Sequence, residues 1–170
     1  MKGVSFIKVS ISILIIFLAG WNIYAQEDSG SQGMAFGMGP EWNMNSRHNF
    51  AGGLVLGFDY NLPVSVPLAM GINVAGSYNF SYTVVLEAAP FLRWYFMGVG
   101  YTGFFVQADV GYYYAMEDLN KKDKNTFDRI NGGLRAGYRL PMESSFYIEP
   151  YIRAGYPFVF GVGLMAGILF

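Results

Sequence analysis

From residue 33 onward, large apolar side chains recur at every second position, and this period of two constrains the fold more than any other feature. A strand turns successive side chains to opposite faces, so each such segment has one greasy face and one that differs. Around residue 90, Val84, Leu86, Ala88, Leu92, Trp94 and Phe96 share the even parity, against Thr83, Glu87, Phe91 and Arg93. The pattern returns near residue 135, with Ile130, Leu134, Ala136, Tyr138 and Leu140 set against Asn131, Arg135 and Arg139. Along the chain the alternation predicts eight strands, at 33–43, 50–61, 68–78, 83–96, 103–114, 127–140, 146–156 and 158–170. Most have the ~9–11 residues that a tilted membrane-spanning strand requires.

The composition decides which kind of β protein this is. Aromatic residues make up 18% of the chain and charged residues only 14%, which is unusual for a soluble domain. A helical membrane protein would carry unbroken apolar runs, and past the first 25 residues there are none. A membrane β-barrel spreads its apolar residues over alternate positions instead. The chain therefore reads as all-β, an eight-stranded antiparallel up-and-down transmembrane β-barrel. The contrasting reading is a soluble secreted barrel with its apolar face turned inward around a ligand. Glycines on the charged parity, Gly53, Gly57, Gly71, Gly111, Gly133 and Gly137, argue for a crowded narrow interior instead.

The first 25 residues read as an export signal. Lys2 and Lys8 precede an apolar stretch from Val9 to Ala19, and Ile23, Tyr24 and Ala25 offer a small residue for cleavage before Gln26. The apolar stretch is shorter than the roughly 20 residues that a spanning helix needs. Residues 26–170 then form the barrel domain. The absence of cysteine removes disulfides and thiol catalysis, and a net charge of −1 gives no electrostatic case for nucleic acid.

The connectors suit a meander. Segments 62–67, 97–102 and 141–145 are short and carry little net charge, as expected of periplasmic turns. Segments 44–49 and 115–126 are more polar, and both chain ends then lie on the periplasmic side. Tyr60, Trp94, Phe96, Tyr138, Phe146 and Phe170 fall on the outward parity at that side. Trp42, Tyr78, Tyr82, Tyr112, Tyr114 and Tyr156 fall on it at the other, so two aromatic belts are expected.

The chain ends in "GLMAGILF", with Leu164, Ala166, Ile168 and Phe170 on one face. This resembles the terminal signal by which the outer-membrane assembly machinery recognises barrel proteins. With the export signal and eight strands, the chain resembles the small outer-membrane barrels of the OmpA, OmpX and OmpW types. The resemblance implies a bacterial outer-membrane location, contact with outer-membrane lipid and with the assembly machinery, and a monomer. A departure from full OmpA-type proteins is expected, with no peptidoglycan-binding domain after Phe170, and from OmpX-type proteins in short outer loops.

An eight-stranded barrel has room inside only for side chains or one small ligand. The inward parity carries Glu41, Asp59, Glu87, Asp109 and Glu149 together with Arg93, Arg135, Arg139 and Arg153, and Arg129 nearer the rim. Unpaired, such charges would be costly, so a hydrogen-bonded network closing the lumen is expected. If Leu140 faces Phe146, Glu149 sits opposite Gly137 with Arg135 and Arg139 on its diagonals, and either arginine can pair with it. Pro150 in "YIEPYIRAGY" predicts a bulge or a missing ladder bond, since proline has no N–H to donate.

Other activities have less behind them. An apolar channel of the OmpW type would use Phe91, Phe105, Tyr113 and Met165, but mid-strand charges interrupt it. A lipid-modifying enzyme would need His48 and Ser46, which lie on a loop with no acid beside them. Adhesion would rest on Glu117, Asp118, Lys121, Lys122, Asp123 and Lys124, whose charges largely cancel. No metal cluster, cofactor motif or phosphate loop is present, so no catalytic residue, metal or cofactor is expected.

Overall fold

The computed structural model describes residues 33–46, 49–64, 66–79, 83–97, 101–117, 125–142 and 145–170. The export segment through Ala25, His48, Tyr82 and the loop charges Asp118, Lys121, Lys122, Asp123 and Lys124 lie outside the described residues, as does the side chain of Glu117.

Eight strands follow one another: β1 (Met34–Met44), β2 (Phe50–Asn61), β3 (Leu68–Asn79), β4 (Thr83–Met97), β5 (Gly103–Glu117), β6 (Asn125–Pro141), β7 (Phe146–Tyr156) and β8 (Phe160–Leu169). Each pairs antiparallel with the next, and β8 returns to β1, so the sheet is a closed barrel. Reciprocal backbone bonds of 2.9 Å between Met34 and Phe170 complete the seam. Closure leaves no strand edge unpaired, which a sheet in lipid requires. The ends of β1 and β8 that carry Met34 and Leu169 define the terminal end, and the opposite rim is the loop end.

The strands match the sequence expectation within a residue or two, except at one hairpin. β5 and β6 run past the expected boundaries, because Met116 still pairs with Thr126 and Glu117 with Asn125. The polar connector expected at 115–126 therefore shrinks to 118–124. Gly103 opens β5 with φ 94°, a left-handed conformation that only glycine takes without strain.

Parity decides the two faces. Odd positions such as Val55, Tyr95, Phe105 and Tyr151 are buried in the lumen, while Leu54, Val110, Ile130 and Leu134 on even positions are each at least 60% exposed. Turned to water, each such side chain would forgo ~1.5–3 kcal/mol of burial. The soluble-barrel reading has the faces the wrong way round. On the outside, Trp94, Phe96, Phe104 and Tyr138 follow one another around the terminal end of β4 to β6, with neighbouring ring centroids 5.7, 6.1 and 4.6 Å apart. Trp42, Tyr78, Tyr114 and Tyr156 stand exposed toward the loop end.

Pro150 interrupts the β6–β7 ladder. Pairing stops at Gly137↔Tyr151 and resumes at Leu140↔Ile148 with the same offset, so a rung is lost and no residue is inserted. Pro40 and Pro90 do the same. The β1–β8 pairing skips from Met38↔Ala166 to Glu41↔Gly163, and β4–β5 skips from Ala88↔Tyr112 to Phe91↔Asp109. All three prolines keep their partners on the other side, at Leu54, Ile72 and Leu164.

Candidate functional site: the lumen

Because every strand sends its odd residues inward, the lumen fills with side chains stacked along the barrel. Ala51, Val85, Tyr113, Ala115 and Phe158, with Phe127, cap it near the loop end. Ala35, Tyr147 and Leu169 floor it at the terminal end. Close by, Tyr101 donates its hydroxyl to the Leu62 carbonyl at 2.7 Å. Between cap and floor lie two separate sets of charges.

The lower set centres on Glu149 of β7, which is fully buried. Arg93 of β4 grips it with a two-pronged fork, Nη1 to Oε2 at 2.8 Å and Nη2 to Oε1 at 3.0 Å. Arg139 of β6 donates Nε to the same carboxylate at 2.7 Å and forks onto Asp59 of β2 at 3.2 and 2.7 Å. Gln107 of β5 accepts from Arg93 Nε and Nη2 at 3.1 and 2.8 Å, and Arg93 Nη1 also donates to the Tyr95 hydroxyl at 3.1 Å. These bonds engage all five N–H groups that a guanidinium has. The cationic planes lie on aromatic rings, Arg93 over Phe105 at 4.0 Å and Arg139 over Tyr147 at 4.3 Å.

The upper set centres on Glu41 of β1. It accepts from Arg153 Nη1 at 2.9 Å, Arg135 Nη2 at 3.3 Å, the Tyr151 hydroxyl at 2.7 Å and Asn43 Nδ2 at 2.8 Å. Arg153 of β7 reaches on to Glu87 of β4 at 3.1 Å, where Asn131 Nδ2 also donates at 3.1 Å. Arg135 stacks 4.1 Å above Tyr151, and its Nη1 approaches the Met165 sulfur at 3.9 Å. Asn43 Oδ1, Asn131 Oδ1 and Arg135 Nε have no protein partner here, nor does either side-chain atom of Asn73.

Burying an ion takes several kcal/mol, offset only where geometry and extra hydrogen bonds are good. The glycines meet that requirement. Gly163 and Gly37 leave the wall bare where the rings of Tyr151 and Tyr147 lie against it, and a Cβ at either position would collide with the tyrosine. The tyrosines in turn support Arg135 and Arg139.

The expected register of the β6–β7 hairpin needs correction. Leu140 faces Ile148, not Phe146, and Gly137 faces Tyr151, because Met142 N–H bonds the Phe146 carbonyl at 2.8 Å and tightens the turn. A slip of two residues keeps every face and changes every neighbour. Glu149 consequently meets Arg139 and Arg93, while Arg135 belongs to Glu41. Asp109 stands apart. It is half-buried, and its recorded contact is Gln107 Nε2 at 3.5 Å, too long to count as a strong bond. Arg129 is exposed. Phe91, Phe105, Tyr113 and Met165 are buried as packing around the charges. Leu164, Ala166, Ile168 and Phe170 line the outer face of the last strand and its end. Ser46 is exposed at the loop end. Charge alone does not point to the neutral members, Asn43, Asn73 and Gln107, although they sit on the inward parity as Asn131 does.

No protein-family model matches this sequence, and none of the curated proteins is a detectable relative. The likeness is in fold. Neisserial surface protein A superposes with a TM-score of 0.67 at 11% identity, over 84% of this chain and 100% of that one. The N-terminal β-barrel domain of Pseudomonas aeruginosa OprF does so with a TM-score of 0.53, also at 11% identity and with the same coverage. This chain has the fold of the small eight-stranded antiparallel barrels.

Proposed function

We propose that this chain is an integral protein of the bacterial outer membrane, a monomeric barrel whose inward charges hold the lumen shut. The observation that carries the reading is the cross-lumen lock of Arg93 and Arg139 on Glu149 and Asp59, all at most 3% exposed. An open pore would leave these groups to water, whereas here they bond to one another between aromatic layers. The role is structural rather than catalytic, with the wall in contact with lipid and little passing through.

The membrane setting is supported by the exposed apolar wall and its aromatic belts, the pattern of lipid-facing barrel surfaces. The fold likeness to a Neisserial surface protein and to the OprF barrel domain supports it too. On this reading the terminal end faces the periplasm, Met1 to Ala25 direct export, and Leu164, Ala166, Ile168 and Phe170 engage the assembly machinery.

Single-channel recording of the refolded barrel tests the closed lumen. The wild type conducts little, and Glu149→Ala or Arg135→Ala raises the conductance. A wide, steady pore in the wild type overturns the reading. The location is tested separately by heat-modifiable migration of the protein extracted in detergent from outer membranes.

A further inference from the structure

The upper charge set borders a small, partly enclosed space on the side of the lumen away from Glu41. Asn73 of β3, Asp109 of β5, and Asn131 and Arg135 of β6 face it, with Ala75 and Ala89 completing the wall. Its volume for the centre of a water-sized sphere is about 10 Å3. That is room for the centre of a water molecule to sit among these side chains.

The groups around this space are those that the protein leaves unanswered. Arg135 Nε, Asn131 Oδ1 and both Nδ2 and Oδ1 of Asn73 have no protein partner. Their residues are 3%, 3% and 6% exposed, so bulk water does not reach them. Turning the Asn73 amide over changes nothing, because both of its atoms are unpartnered. Turning Asn131 over would break its bond to Glu87. Buried polar atoms in this state are rare, and an internal water is their usual partner.

The mixture of donors and acceptors selects the occupant. A monovalent cation would serve Asn73 Oδ1, Asn131 Oδ1 and Asp109, but would leave Arg135 Nε–H unanswered beside two guanidinium groups. An anion would serve the donors and meet the carboxylates of Asp109 and Glu87, which also border the space. Water donates two hydrogen bonds and accepts two. We infer that the lumen binds one structural water molecule among Asn73, Asp109, Asn131 and Arg135. β3 carries no charged side chain, so this water is what joins β3 to the upper ion pairs. The upper set is hydrated at this point, whereas in the lower set Arg93 has every N–H engaged by protein.

The inference goes beyond the closed-lumen reading and is tested apart from it. The methyl groups of Ala75 and Ala89 border the site and carry protons that do not exchange with solvent. NMR of the refolded barrel, methyl-labelled in deuterated detergent, reads magnetisation transfer from water to those methyls. Long-lived water gives transfer of opposite sign in the laboratory and rotating frames at Ala75 and Ala89, and none at Ala35 in the floor. Ala75→Val fills the space and abolishes the Ala89 signal while heat-modifiable migration persists. If that variant does not fold, Asn73→Leu, read at Ala89, replaces it. No transfer in the wild type overturns the inference, as does an Ala89 signal unchanged in the folded variant. A saturable shift of these methyls with sodium or potassium chloride identifies a cation and overturns it too. Conductance recorded on the same preparation reports on the closed lumen independently.

Discussion

The two charge sets in the lumen are built from the same groups and differ in how completely those groups are answered. Each has two arginines and two carboxylates, Arg93 and Arg139 with Asp59 and Glu149 below, Arg135 and Arg153 with Glu41 and Glu87 above. Below, Arg93 engages every N–H it has and Gln107 supplies an oxygen that takes two of them. Above, Arg135 keeps Nε without a protein partner, and three asparagines, Asn43, Asn73 and Asn131, keep an oxygen in the same state. The neutral residues make the difference. Glutamine carries one more methylene than asparagine and reaches across to the next strand's guanidinium. Asn43 reaches only Glu41, two residues away on its own strand. Charge balance thus decides whether a lumen can be dry, and neutral partners decide how tightly it is locked.

The largest effect expected from this contrast is at Glu149. Its loss strands Arg93 and Arg139 together, with only Asp59 left to answer two buried cations. Glu149→Ala destabilises the barrel by about 3–5 kcal/mol, the usual consequence of breaking a buried pair. Urea unfolding of the refolded barrel in detergent, followed by the fluorescence of Trp42 and Trp94, measures it. A loss under about 1 kcal/mol would mean that the lower set is solvated and that it is no lock.

Much of this architecture was legible before any coordinates, and the reason is locality. Parity is a property of neighbouring residues, so the strand limits and the inward charges could be read from alternation alone. Register was not legible to the same degree. The hairpin pairing depends on how Met142 closes onto Phe146, and a two-residue slip leaves parity untouched. Pairs across the lumen were further out of reach. Arg93 and Glu149 are 56 residues apart and on strands that are not neighbours, so their meeting depends on the tilt of the whole barrel. The ladder gap at Pro150 follows from proline's missing N–H, and the same chemistry at Pro40 and Pro90 accounts for the other two gaps.

A middle-sized effect comes from exchanging the neutral partners. Gln107→Leu leaves Arg93 with two unanswered bonds in a buried layer, at a cost of about 1.5–3 kcal/mol for hydrogen bonds to a charged group. Asn43→Leu removes one bond to Glu41, which keeps Arg153, Arg135 and Tyr151, and also removes an unpartnered oxygen. Its effect stays within about 1 kcal/mol, because a lost hydrogen bond and a lost unsatisfied group oppose each other. The same urea titration compares the two. Equal losses would show that the upper set is as tightly locked as the lower one.

The smallest quantity is the most discriminating, because it asks whether the two sets are one network. Glu149 and Arg153 lie two positions on from one another along the inward face of β7, yet they share no hydrogen-bonding partner. Glu149 binds Arg93 and Arg139, and Arg153 binds Glu41 and Glu87. What separates them is the ring of Tyr151, whose hydroxyl is committed to Glu41. In a double-mutant cycle with Arg153→Leu and Glu149→Ala, independent sets give additive losses, with a coupling energy no larger than about 0.5 kcal/mol. Glu149→Ala with Asp59→Ala, which share Arg139, gives a coupling well above that limit. If the Glu149–Arg153 cycle couples as strongly as the Glu149–Asp59 cycle, the lumen is a single lock. Breaking either set should then raise conductance equally. Independent sets predict instead that the lower one governs closure, so Glu149→Ala opens the barrel more than Arg153→Leu does.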